Sequence, residues 1–355
     1  MRTSNIALLI TTILGIVTSF GTQTAGHDIK CEIKEKNTPF DNRHGIQFRT
    51  VVSCVFNEDF EITVPSKLTN PTNESVTELR MNRNKKIEFL PQEISTAFPK
   101  LRVVDAFGCA VKEITKSSFL GLKLVDKIVL DGNEIATIDE SSFDDLSELR
   151  LLYLDNNRIA TLPTKLFEKL ENLDTLYLNG NQLQELDAAL FKNNRKLALL
   201  HINENKLQTL PPGIFDGMTQ MRQIWLKGNE IVDLPANIFE QCASLVDIDL
   251  SRNRIKTIDP NLLTKLGELR DVSFSFNPLE FIDLTVFDGN TLLTEMFFNG
   301  IATADIRNIE RVDQMKNIKG LSFHNGCIND QFHEGNLEKL KEIVRMRCIA
   351  AVKTD

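Results

Sequence analysis

Along most of this chain the apolar residues recur in one fixed frame. The stretch LRLLYLDNNRIATL, ending at Leu162, is followed by LDTLYLNGNQLQEL, LALLHINENKLQTL, MRQIWLKGNEIVDL and LVDIDLSRNRIKTI. Each fits L-x-x-L-x-L-x-x-N-x-L-x-x-L, with other aliphatic residues standing for some leucines. The L-x-L segment alternates with period two, which predicts a short strand with its leucines turned inward. The asparagine that follows falls at Asn133, Asn157, Asn181, Asn205, Asn229, Asn253 and Asn277, always 24 residues apart. Upstream, Cys109 takes the slot 24 residues before Asn133, and Asn84 lies 25 residues before Cys109. Downstream, Ile301 and Gly326 hold the next two slots. About eleven such units span residues 76–326.

A strand repeated at a fixed period predicts a stack in which each strand pairs in parallel with that of the next unit. The asparagine turns the chain after the strand, and its amide can bond to buried backbone groups in the turn. A ladder of stacked asparagines follows, with Cys109 as a buried reduced thiol in the same slot. A second lattice runs through Phe119, Phe143, Phe167, Phe191, Phe215, Phe239 and Phe287, with Leu263 replacing Phe once. These rings are expected to form a hydrophobic spine on the outer side of the coil. Three residues later the frame calls for another apolar group, filled by Leu146, Leu170, Met218, Cys242 and Leu266. Cys242 is therefore expected in the core, with an exposed intermolecular cysteine as the alternative.

Stacked units cannot cover their own ends, so both ends need caps. Four cysteines lie outside the core slots, two at each end: Cys31 with Cys54, and Cys327 with Cys348. The segment GIQFRTVVSCVF alternates like a strand and Cys31-Glu-Ile resembles another, which predicts a two-stranded cap over residues 27–75 closed by Cys31–Cys54. NLEKLKEIVRM has helical apolar spacing, which predicts a helical cap over residues 327–355 stapled by Cys327–Cys348. Sequence leaves the connectivity open, and four cysteines also admit a metal site, against which stands the lack of any C-x-x-C pair. At the N-terminus, Arg2 precedes an apolar run from Ile6 to Phe20, followed by small residues. This reads as an export signal within residues 1–26, with cleavage after Gly21 or Gly26; an uncleaved anchor is the alternative. No second apolar run follows, so no membrane insertion is expected. Asn73-Glu-Ser75 is a glycosylation sequon suited to a secreted, extracellular chain.

The 24-residue unit, with L-P or L-D after the ladder and Phe on the outer side, resembles the extracellular leucine-rich repeats. Those occur in Toll-type receptor ectodomains, Slit, connectin and chaoptin-like adhesion proteins, and the secreted leucine-rich immune proteins of mosquitoes. The resemblance covers about 250 residues and both caps. It implies an α/β solenoid: a leucine-rich repeat horseshoe with a parallel concave β-sheet, about eleven 24-residue repeats and disulfide caps. It also implies a protein ligand on the concave face and a setting in innate immunity. The caps are compact, as in the short secreted insect proteins. No sustained heptad pattern follows the repeats, unlike the coiled coil of the mosquito proteins, so a monomer or weak dimer is expected.

Composition narrows the chemistry. The apolar share of 42% is globular, and 22 Phe stand against two Tyr and one Trp. The net charge of −8 argues against nucleic-acid binding. There is no H-E-x-x-H, G-x-S-x-G, P-loop or glycine-rich dinucleotide turn, so neither an enzyme nor a cofactor is expected. His27, His44, His201, His324 and His333 are scattered and fit no triad or metal spacing. Both tyrosines and the tryptophan fall instead in one strand slot, between the inward leucines. That slot reads Arg80, Asp105, Val129, Tyr153, Tyr177, His201, Trp225, Asp249, Ser273, Phe297, Ser322. Tyr153, Tyr177, His201 and Trp225 are expected to form a ridge, joined by Leu151 and Leu199 two residues earlier on the same face. Tyr and Trp dominate interface hot spots, although rings in this slot can also simply stack on each other. Asp247, Asp249 and Asp271, near Glu295, form an acidic patch beside the ridge, read as a surface for a basic partner or a cation, or else as a solvated face. The expected function is extracellular protein recognition, with two alternatives: a cell-adhesion or matrix component, and a non-catalytic regulatory subunit of a secreted enzyme.

Overall fold

A computed structural model of the chain describes residues 31–42, 45–56, 75–81, 83–92, 94–301, 305–324, 329–333 and 337–343. The expected signal segment 1–26, Asn73, Cys327 and Cys348 lie outside the described residues. The chain divides into a unit ending at Arg158 and a unit beginning at Ile159.

In the first unit, strands β1 (Cys31–Asn42) and β2 (Gly45–Phe56) form an antiparallel hairpin, with Ile33 opposite Cys54. This is the two-stranded N-terminal element the alternation predicts. Cys54 is buried and disulfide-bonded; the side chain of Cys31 lies outside the described ones. From β2 onward the pairing is parallel: β3 (Glu78–Arg80), β4 (Val103–Asp105), β5 (Lys127–Val129) and β6 (Leu151–Tyr153) follow in register. Their central residues Leu79, Val104, Ile128 and Leu152 are all fully buried.

The second unit continues the same plan. Strands β7 (Thr175–Tyr177), β8 (Leu199–His201), β9 (Gln223–Trp225), β10 (Asp247–Asp249), β11 (Asp271–Ser273), β12 (Glu295–Asn299) and β13 (Gly320–His324) pair in parallel. Most of these strands have only three residues, too few to be stable alone. They hold because each is clamped on both sides by the neighbouring turn.

Each ladder asparagine shows how this clamping works. Asn205 Nδ2 donates to Leu178 O at 2.9 Å in the preceding turn and to Asn203 O at 3.0 Å in its own. Its Oδ1 accepts from the Leu183 amide at 3.0 Å. Asn229 repeats the pattern with Ile202 O and the Leu207 amide. Cys109 fills its slot as a free, buried thiol with Sγ 3.8 Å from Met81 O. Cys242 is also free and buried, in the expected apolar slot. Burial pushes these thiols up to about 11 and about 12, so both are inert as nucleophiles at neutral pH.

The phenylalanine spine is present in both units. Phe119 and Phe143 lie 5.7 Å apart in the first; Phe167 with Phe191, and Phe215 with Phe239, stack at 5.9 Å in the second. Asn194 and Asn290 occupy the apolar slot three residues after the spine position. Their Nδ2 groups donate to two carbonyls of the preceding turn, Phe167 and Leu170 for Asn194, Leu263 and Leu266 for Asn290. These are polar clips inside the core, where the lattice predicts only apolar groups.

At the C-terminal end, β13 pairs antiparallel with β14 (Asn329–His333), a strand the hydrophobic pattern does not predict. A helix then runs over Leu337–Ile343, within the segment expected to be helical. The Lys341 ammonium bonds to Asp313 on the 3-10 turn Ile309–Gln314 and to Glu338, tying the helix to that turn. Among the described residues, no helix is long and apolar enough to cross a membrane.

Candidate protein-binding face

The middle residue of each strand is buried, so the residues on either side of it project onto the open face of the sheet. In the second unit this places Tyr177, His201, Trp225 and Asp249 side by side. The rings stack: Tyr177 and His201 lie 4.6 Å apart at 20°, and His201 and Trp225 lie 4.0 Å apart at 8°. The sandwich leaves His201 only 7% exposed, with Nε2 unpartnered among the described residues. Burial lowers its pKa below the ordinary histidine value, against the pull of a side-chain hydrogen bond with Gln223. The imidazole is therefore neutral at pH 7.

Leu199, Gln223, Asp247, Asp271 and Glu295 form the adjacent column of the same face. Trp225 Nε1 donates to Asp247 Oδ2 at 2.8 Å, locking the indole against the acidic column. Asp249 Oδ1 accepts from the Ser251 amide, and Asp271 Oδ1 from the Thr294 hydroxyl. Burial raises the Asp247 carboxyl to about 6; the Trp225 bond opposes this, and the charges of Asp271 and Asp249 add to it. Asp247 is thus half-buried within the face, more enclosed than a solvated patch.

The first unit carries Leu151 and Tyr153 on β6, both half-buried. Lys127 Nζ lies 5.2 Å from the centre of the Tyr153 ring, a cation–π contact. The structure thus places Tyr177, His201, Trp225, Leu199, Asp247, Asp249 and Asp271 on one face of the second unit, and Leu151 and Tyr153 on the open face of the first.

Other surface features escape the pattern. One is a second ladder just past the strands: Asn179 Oδ1 accepts from the Asn203 amide at 2.8 Å, and Asn203 Oδ1 from the Lys227 amide at 2.9 Å. In the first unit the same slot holds Asp131, whose Oδ1 accepts from the Asp155 amide at 3.2 Å. Its carboxyl is raised to about 7, first by burial and then by the charges of Asp155 and Asp105. The short polar side chains at this spacing are the sequence signal for that ladder. Another feature is Phe276, half exposed with φ 58°, flanked by Arg252 at 5.0 Å. It lies across Gly300, where any Cβ would collide with the ring. Gln223 is a third, linking His201 to Asp247 at 3.5 Å. Among the described residues, no group of His, Cys, Asp or Glu is arranged to hold a metal ion.

The family profile described as Leucine rich repeat matches residues 108–159, 171–231 and 224–279. Its repeat coincides with the strand, ladder and spine described above. The fold is a leucine-rich repeat solenoid. Similar solved structures share it. A chain of the TLR13–ssRNA13 complex has a TM-score of 0.62 at 19% identity, over 70% of this chain and 39% of that one. The Toll–Spatzle complex of Drosophila gives 0.57 at 21% identity, over 71% and 38%. The octameric complex of Latrophilin 3, Unc5D and the leucine-rich repeat protein FLRT2 gives 0.60 at 20% identity, over 77% and 89%. The chain thus spans about two fifths of the TLR13 and Toll chains it resembles. At these identities the likeness concerns the fold. No curated protein matches the sequence.

Proposed function

We propose that this leucine-rich repeat chain is a secreted, extracellular recognition protein of innate immunity, and that it binds a protein partner through the open face of its sheet. The observation that carries this reading is the Tyr177–His201–Trp225 stack beside a column of carboxylates. Tyr and Trp contribute large rigid contact areas at little entropic cost, which is why they dominate hot spots. Structural neighbours in the Toll–Spatzle complex and the Latrophilin 3–Unc5D–FLRT2 complex are themselves found with protein partners. The TLR13 neighbour is found with RNA; here carboxylates on the open face and a net charge of −8 oppose a phosphate backbone.

The same reading takes residues 1–26 as a removed signal, 27–75 and 327–355 as caps around repeats at 76–326, and Asn73 as glycosylated. It pairs Cys31 with Cys54, two residues apart in the hairpin register, and Cys327 with Cys348. It also takes Tyr153 and Leu151, on the open face of the first unit, as partner contacts, and the chain as a monomer or weak dimer.

Recovery of the partner by co-purification from native fluid, followed by titration against Trp225→Ala, tests the proposal. The substitution should weaken binding by ~2 kcal/mol or more, a hot-spot magnitude, with the circular dichroism of the free chain retained. Affinity equal to the parent would remove the ridge as the docking site.

A further inference from the structure

The open face of the second unit also carries information about what it binds. Asp247, Asp271 and Glu295 stand in one column on successive strands, and Asp249 stands beside Asp247 across Ile248. Successive strands lie about 4.8 Å apart, so these like charges crowd a strip about 10 Å long. No salt bridge among the described residues involves any of the four. Elsewhere on the surface, acidic groups do find cations: Glu134 with Arg158, Glu230 with Arg254, Asp126 with Arg102. The strip is therefore a concentration of negative charge without an ion pair among the described residues.

A second observation, independent of the charges, lies in the neighbouring strand. His201 is 7% exposed, and its Nε2 has no partner among the described residues. When Nε2 carries the lone pair of the neutral ring it needs a donor, and a buried acceptor without one is costly. Ammonium and guanidinium groups meet both needs, as cations for the carboxylates and as N–H donors for the imidazole.

We infer that the face takes a basic, extended segment of its partner, with Lys or Arg side chains on Asp247, Asp249, Asp271 and Glu295 and an N–H donor delivered to His201 Nε2. This rests on the proposal that the open face is the binding face, and adds the chemistry of what docks there. The stem of each basic side chain lies on the Tyr177–His201–Trp225 stack, where a guanidinium also gains from the ring faces. Trp225 stacks on His201 and bonds to Asp247, so it borders both parts of the face. The indole emission therefore reports docking directly, because Trp225 is the only tryptophan in the chain.

The test uses the full chain and three synthetic peptides: alternating Arg/Ala, its Glu/Ala counterpart and its Ser/Ala counterpart. Trp225 emission is followed on titration at low salt. The Arg/Ala peptide should shift the emission and the other two should not. Asp249→Asn combined with Asp271→Asn should weaken the Arg/Ala peptide about tenfold or more, and so should raising the salt to about 0.5 M. Glu140→Gln combined with Asp144→Asn removes the same charge from exposed sites of the first unit and should leave binding unchanged. Equal weakening by both double variants would show attraction to net charge alone and overturn the inference, and so would equal binding to the parent and both double variants. A response to the Ser/Ala or Glu/Ala peptide but not to Arg/Ala would overturn it while leaving the face as a binding face. Silence from all three peptides overturns it too, and the face itself is then decided separately by Trp225→Ala against the co-purified partner.

Discussion

At the scale of single residues, the repeat depends on polar atoms as much as on leucines. A solenoid turn buries backbone carbonyls and amides that no strand or helix satisfies. Asn205 answers for two turns at once, through Leu178 O and the Leu183 amide of the preceding turn and Asn203 O of its own. Asn205→Ala orphans the buried Leu183 amide, while Leu178 O keeps Asn181 Nδ2 as a donor. The substitution should therefore lower the urea-denaturation free energy of the chain by ~1–3 kcal/mol. A loss well under ~1 kcal/mol would mean that water or a backbone shift replaces the amide, and that the ladder is a geometric habit with little energy in it. Cys109 is the natural exception: its thiol reaches Met81 O at sulfur distance, and the Ile87 amide turns to Asn84 O instead.

At the scale of elements, the spine sets the width of each turn. Phe215 is fully buried and stacked on Phe239, while Leu263 holds the same slot, also fully buried. The slot thus accepts a smaller apolar side chain but not an empty space. Phe215→Ala should cost ~3–5 kcal/mol and Phe215→Leu much less, measured by chemical denaturation. Equal losses would show that ring stacking, rather than filled volume, holds the turns together. This is also where the legibility of the sequence ends. The strands, their register, the ladder and the spine all follow from a 24-residue period, because one repeat's physics is copied into the next. What breaks the copy is not written in the period. Strand β14 forms because β13 offers it an edge, while NDQFH by itself has little strand character. Asn194 sits in an apolar slot because two carbonyls wait beneath it. The outward slot of Tyr177, His201 and Trp225 was legible, but the face-to-face contact that buries His201, and the Gln223 link to Asp247, depend on side-chain angles set by three strands together.

At the scale of the whole molecule, two units that each hold a carboxyl raised toward neutrality give the chain an unusual dependence on pH. Asp131 in the first unit is raised to about 7 and Asp247 in the second to about 6, from an ordinary 3.8. In both cases the folded state holds its proton more tightly than the unfolded one, because the charged form is penalised by burial and by neighbouring carboxylates. Stability therefore rises as pH falls through 7 and 6, and the full gain is present only below 3.8. His201 works in the opposite sense: its pKa is lowered from 6.5, so its neutral form favours folding above that value and the contribution fades as the solution becomes more acid. Between pH ~8 and ~6.5 the imidazole is neutral in the folded state and largely neutral in the unfolded one, so the carboxyls act there with little opposition. Melting temperature followed by circular dichroism should rise over this window in the parent chain. Asp131→Asn should raise the melting temperature at pH ~8 and remove most of the slope, since the amide is never charged. Asp247→Asn should act in the same direction with a smaller effect, its pKa lying further below the window. A parent profile that is flat or falls on acidification would mean that Asp131 and Asp247 keep their charge in the folded chain, and that their neighbours' repulsion is relieved by solvent.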